Sequence, residues 1–122
     1  AGISALRSSI DRGIRFTVHD DTPVTPVNPL QLVWVGVNRL TKTDQVLGPD
    51  ERITPLEALR TVTIDAAWQN FEEDIKGSIA PGKLADLVIL DGNPLTVDPT
   101  AIRDIQVQET IVGGETVYER SM

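Results

Sequence analysis

The residues of this 122-residue chain best suited to chemistry lie together in Gly13–Pro26, GIRFTVHDDTPVTP. The stretch holds the single histidine, His19, and the acidic pair Asp20–Asp21, directly after the alternating, β-branched run Ile14–Val18. That run reads as a strand. Pro23, Pro26 and Pro29 keep the following segment extended and short of amide donors. At the carboxyl end of a strand in a parallel α/β fold, a carboxylate can ligate a metal or take a proton from metal-bound water. The same pair can instead close an Asx turn or cap a helix in a proline-rich loop. Both readings stand on pattern alone.

Other polar groups point less to catalysis. A catalytic zinc usually takes three protein ligands, and a lone imidazole in a chain without cysteine does not supply them. His19 therefore reads as a histidine satisfied by a backbone partner or packed beside Asp21. Gly77-Ser78-Ile79-Ala80-Pro81-Gly82-Lys83 has the G-x-x-x-x-G-K spacing of a phosphate loop. Leu84 stands where a magnesium-binding hydroxyl should be, Pro81 lacks an amide, and a strand follows in place of a helix, so nucleotide binding is rejected. The structural reading is a tight turn that places Lys83 and Asp86 near a strand start. Glu72-Glu73-Asp74 reads as solvated surface, and Trp34 and Trp68 as core.

The elements that must position these groups can be read in order. Residues 1–12 look helical, with Ile3, Leu6 and Ile10 on one face and a stop at Gly13. Asn28-Pro29 opens a buried helix to about Arg39. Thr41–Arg52 is an exposed loop. Thr54-Pro55-Leu56-Glu57 is a capping box whose helix runs to about Trp68. The character changes near residues 72–80. Leu84–Leu90 and Ile105–Val112 read as strands, and Gly113-Gly114 turns the second into Glu115–Glu119.

Composition narrows the field. A net charge of −7 and 4% aromatic residues argue against nucleic-acid partners. Without cysteine there are no disulfides and no thiolate chemistry, which fits a cytoplasmic protein. No apolar run reaches the ~20 residues of a membrane span, so a membrane role is not expected. The chain opens at Ala1, without an initiator methionine, and this reads as a fragment boundary.

The motifs together resemble the amidohydrolase superfamily of metal-dependent hydrolases, the amidohydrolase-3 type that includes N-substituted formamide deformylases. His19-Asp20-Asp21-Thr22-Pro23-Val24-Thr25-Pro26, with Asn28-Pro29-Leu30 and Val37-Asn38-Arg39, is similar to the H-S-D-x-P-V-x-P stretch after the eighth barrel strand. Gly77-Ser78-Ile79 with Pro81–Val88 is similar to G-S-I-x-P-G-K-x-A-D-L-V, which leads into a small β-sandwich. Ala58-Leu59-Arg60 and Thr63–Ala67 resemble the A-L-R-x-x-T-x-x-A-A helix between them. The resemblance implies that Asp21 is metal ligand and proton carrier, and that Asp20 replaces the usual serine. The family's H-x-H motif, the fourth-strand lysine or glutamate and the histidines of the fifth and sixth strands are absent from this chain.

The expectation is a mixed α/β chain. Residues 1–71 would be the last β/α unit of a (β/α)8 barrel with its helices, and residues 72–122 antiparallel strands of a small sandwich. The parent would hydrolyse amide or other C–N bonds of a small-molecule substrate with a divalent metal, zinc. This chain alone would bind no metal and be inactive. The alternative is a non-catalytic module that self-associates, as a homo-oligomer, through exposed strand edges.

Overall fold

The computed structural model describes residues 4–121. The first helix, α1, covers Leu6–Asp11; the expected helical residues 1–3, Ile3 among them, lie outside the described residues. α2 spans Pro29–Asn38. Its start is as the sequence foretells. Asn28 caps it by accepting the Gln31 amide at 3.2 Å, and Pro29 fills the first turn, where no amide is needed. Val33, Trp34 and Val37 of α2 meet Ile53, Ala58 and Ile102 in the core. Fully burying side chains of this size contributes about 1.5–3 kcal/mol each. After its first residue, Pro29, only Gln31 and Val35 of α2, one helical turn apart, are exposed.

The carboxyl end of α2 ties the two halves of the chain together. Buried Asn38 donates from Nδ2 to the carbonyls of Trp34 and Pro99, both at 2.9 Å. Trp34 Nε1 donates to the Thr100 carbonyl at 2.9 Å, and the Arg103 guanidinium lies 4.3 Å above its ring. Pro99–Asp104 is a 3-10 turn that seats Ile102 in the core. Arg39 closes α2 in the left-handed conformation and donates to the carbonyls of Leu47 and Ser4. The loop from Thr41 carries a Leu40–Val46 bridge and a 3-10 turn at Pro49–Glu51.

The capping box forms. Thr54 Oγ1 accepts the Glu57 amide, and Glu57 accepts the Thr54 amide at 2.8 Å. Its helix does not run unbroken to Trp68. It divides into α3, Pro55–Thr61, and α4, Ile64–Gln69. Thr61 and Thr63 supply the reason: their hydroxyls donate back to the carbonyls of Ala58 and Leu59, competing with the helical ladder at the junction.

Three strands follow. β1, Leu87–Leu90, pairs antiparallel with β2, Val107–Val112, and β2 pairs antiparallel with β3, Glu115–Glu119. Leu87 faces Ile111, and Thr110 faces Tyr118. The β2–β3 turn is the expected glycine pair, Gly113 and Gly114, both at positive φ. Carboxylates close both ends of the β1–β2 pair: Asp86 accepts the Gly113 amide and Asp91 the Gln106 amide, each at 2.8 Å. The first strand is shorter than expected, because residues 84–86 serve the preceding turn and these clamps.

Two further expectations need correction. Ile14–Val18 is not a strand: it has no ladder partner among the described residues, and its side chains bond to α4 instead. Trp68 is not core; it is 39% exposed, under Arg15. The architecture is thus mixed, helices followed by one three-stranded antiparallel sheet.

Candidate functional site

Asp21 stands on an exposed loop between the extended segment 14–20 and α2. Both approaches to it are held. Upstream, Arg15 Nε donates to Asp65 Oδ1 at 2.6 Å, and its guanidinium lies 4.9 Å above the Trp68 ring. Thr17 Oγ1 donates to Gln69 Oε1. Asp65 and Gln69 are one turn apart on α4, so the segment lies along that helix. Downstream, half-buried Asp20 accepts the Asn28 amide on Oδ2 at 2.9 Å. The Asp21 carbonyl accepts the Val24 amide at 2.6 Å. The Asp21 carboxylate itself accepts no hydrogen bond from the described residues and faces solvent.

His19 is exposed, with Nδ1 3.3 Å from the Asp20 carbonyl. That is the backbone partner expected of it. The tandem carboxylates therefore divide their work. Asp20 takes the capping part that a proline-rich loop allows, and Asp21 is the free group. Sequence reasoning missed the Arg15–Asp65–Trp68 contact; the only signal for it was the alternation that places Arg15 and Thr17 on one side of the extended run.

Among the described residues no group of three or more His, Asp or Glu side chains converges. The described residues therefore do not fit a metal by themselves. Asp21 offers one oxygen donor group.

The G-x-x-x-x-G-K segment is structural. Lys83 Nζ donates to the Glu73 carbonyl and, at 2.8 Å, to Ser78 Oγ, which leaves no cation aimed at an open phosphate cradle. Gly77, at φ +92°, packs so tightly on α4 that an added Cβ would stand 2.7 Å from Ala67 Cβ. Beside this turn, a groove of about 500 Å³ opens between α4 and β1, lined by Val62, Ala66, Ile79, Leu87 and Val88. Asp21 is not among its lining residues.

The amidohydrolase family model matches residues 1–118, and the chain belongs to that family. It is 37% identical over 116 residues to an N-substituted formamide deformylase of Arthrobacter pascens, covering 95% of this chain and 21% of that protein. It is 31% identical over 121 residues to the Bacillus subtilis protein YtcJ, covering 96% of this chain and 23% of that one. The chain thus spans about a fifth of the length of these curated relatives. A solved amidohydrolase from Thermotoga maritima superposes with a TM-score of 0.70 at 24% identity, over 94% of this chain and 26% of that one. At that identity the likeness speaks for the fold alone.

Proposed function

We propose that this chain is the carboxyl-terminal portion of a metal-dependent hydrolase acting on amide or other C–N bonds of small molecules. In this reading Asp21 is its contribution to the active site, as one metal ligand and proton carrier. A divalent metal, zinc, belongs to the larger site, whose other ligands come from the remainder of the enzyme. The chain alone is inactive.

The observation that carries the reading is the family match over residues 1–118 in a chain that covers only 21% of the formamide deformylase it resembles; the exposed surface agrees with a missing neighbour. The chain exposes 8288 Å² at 13.3 kDa, against about 6,500 Å² for a compact monomer of that mass. The excess, about 1,800 Å², is the size of one side of a large permanent interface. Phe71 and Ile79 are more than nine-tenths exposed. A surface of this kind is what a larger fold would cover.

The test uses the chain alone and a chimera in which it replaces the matching fifth of the Arthrobacter pascens deformylase. The chain with excess zinc should show no hydrolysis of N-substituted formamides. The chimera should be active, and Asp21→Asn in it should lower kcat at least about 100-fold. Robust metal-dependent turnover by the chain alone, or an Asp21→Asn chimera of full activity, would overturn the reading.

A second reading, a self-associating structural module, is favoured by β3. It is exposed at all five positions and lies at the edge of the sheet. A concentration-dependent dimer in light scattering would support it, and a strict monomer at high concentration would count against it.

A further inference from the structure

α2 and α3 begin in the same way except at one bond. In α3 the N-cap residue Thr54 has its amide taken by Glu57, three residues further on in the same helix. In α2 the corresponding position is Gln31, whose main-chain amide bonds to the Asn28 side chain. The Asn28 amide is taken instead by Asp20, eight residues upstream and across the loop. A local capping box stabilises only its own helix. This remote one also fixes the loop that it spans.

We infer that Asp20 is a positioning residue for Asp21, and that it holds the main chain at Asp21 against the start of α2. The inference rests on the role of Asp21 proposed above. The Asp21 backbone is pinned on both sides, by the Asp20 carboxylate on Asn28 and by its own carbonyl on the Val24 amide. Its carboxylate is left free. Pinning the main chain removes the backbone share of the entropy that a ligand or base would otherwise lose at the moment of reaction, and leaves the carboxylate open to a partner. Asp20 suits the task because a carboxylate reaches further than the hydroxyl of a serine and accepts a charge-assisted hydrogen bond.

The test needs no substrate and no metal, so its failure cannot be confused with failure of the hydrolase reading. It is run by nuclear magnetic resonance on the 122-residue chain in a Gln31→Ala background, so that Gln31 cannot reach back to the Asn28 amide. In that background Asp20→Ala should speed exchange of the Asn28 amide on the order of 10–100-fold. The order parameter of the Asp21 amide should fall from about 0.85 toward 0.6. Asp20→Asn keeps an acceptor oxygen and should restore most of both. Unchanged exchange in Asp20→Ala would overturn the inference. So would an Asp20→Asn variant indistinguishable from Asp20→Ala. Lost protection at Asn28 with Asp21 still rigid would also overturn it, because Asp20 would then be a helix cap and nothing more.

Discussion

Arg15 Nε lies 2.6 Å from Asp65 Oδ1, across fifty residues of chain. With Trp68 beneath the same guanidinium, this contact fastens the segment that leads to Asp21 onto α4. The pair is partly exposed, at 38% and 18% of the two side chains, so its worth is modest. Asp65→Ala should cost about 1 kcal/mol in urea unfolding. A double-mutant cycle between Arg15 and Trp68 should give a coupling of about 0.5–1 kcal/mol. Zero coupling would mean that the stacking holds nothing.

Two glycines at positive φ should respond differently to a methyl group. Gly77→Ala meets both an unfavourable φ of +92° and the Ala67 Cβ at 2.7 Å. It should destabilise by about 2–4 kcal/mol. At Gly82, φ is +87° with nothing within 4 Å, and Gly82→Ala should cost only about 1–2 kcal/mol. Equal losses in denaturant melts would show that φ alone governs both.

The capping box of α3 carries a second duty. Glu57 accepts the Thr54 amide and also Arg7 Nη1, at 2.8 Å, so it joins α1 to α3. Thr54→Ala should cost about 1 kcal/mol. Glu57→Ala should cost more, since Arg7 keeps only Asp11 of its two carboxylate partners, and Glu57→Gln should fall between. Thermal melts that ranked Thr54→Ala as the worst of the three would contradict this.

Acid should weaken the fold through the same groups. Ser8 donates its hydroxyl and then its amide to Glu51, holding that carboxyl below its ordinary value of 4.5. Burial alone would raise Glu57, but hydrogen bonds from Thr54 and Arg7 outweigh it and its pKa is also lowered. The Thr100 hydroxyl and amide lower Asp98 in the same direction. A depressed folded pKa means that the unfolded chain binds protons first. The stabilisation is therefore present above about pH 4.5 and is lost as pH falls through the folded values. Tm should drop between about pH 5 and pH 3. Glu51→Gln should lower Tm at neutral pH and flatten that slope, and an unaltered slope would remove Glu51 from the account.

Much of this was legible because it is local. Asn28-Pro29, Thr54–Glu57 and Gly113-Gly114 specify caps and a turn through atoms within four residues of one another, and all three form. The division of one helix into α3 and α4 was local too, but its signal was weak: two threonines whose hydroxyls turn back on the helix. Ile14–Val18 departs from its pattern for the opposite reason. Alternation marks a segment that can pair, and pairing depends on a partner that its own residues do not encode.

The candidate site divides along the same line. Sequence by itself identified the residues, a lone histidine and two adjacent carboxylates on a proline-rich loop, and the family-like motifs around them. The pattern alone left open which carboxylate was free, and only the resemblance pointed to Asp21. That was decided by the Asn28 amide, which comes within 2.9 Å of Asp20 only when the loop has closed on the start of α2. A hydrogen bond acts over about 3 Å, whatever the separation in sequence. Roles that depend on one are assigned by the fold.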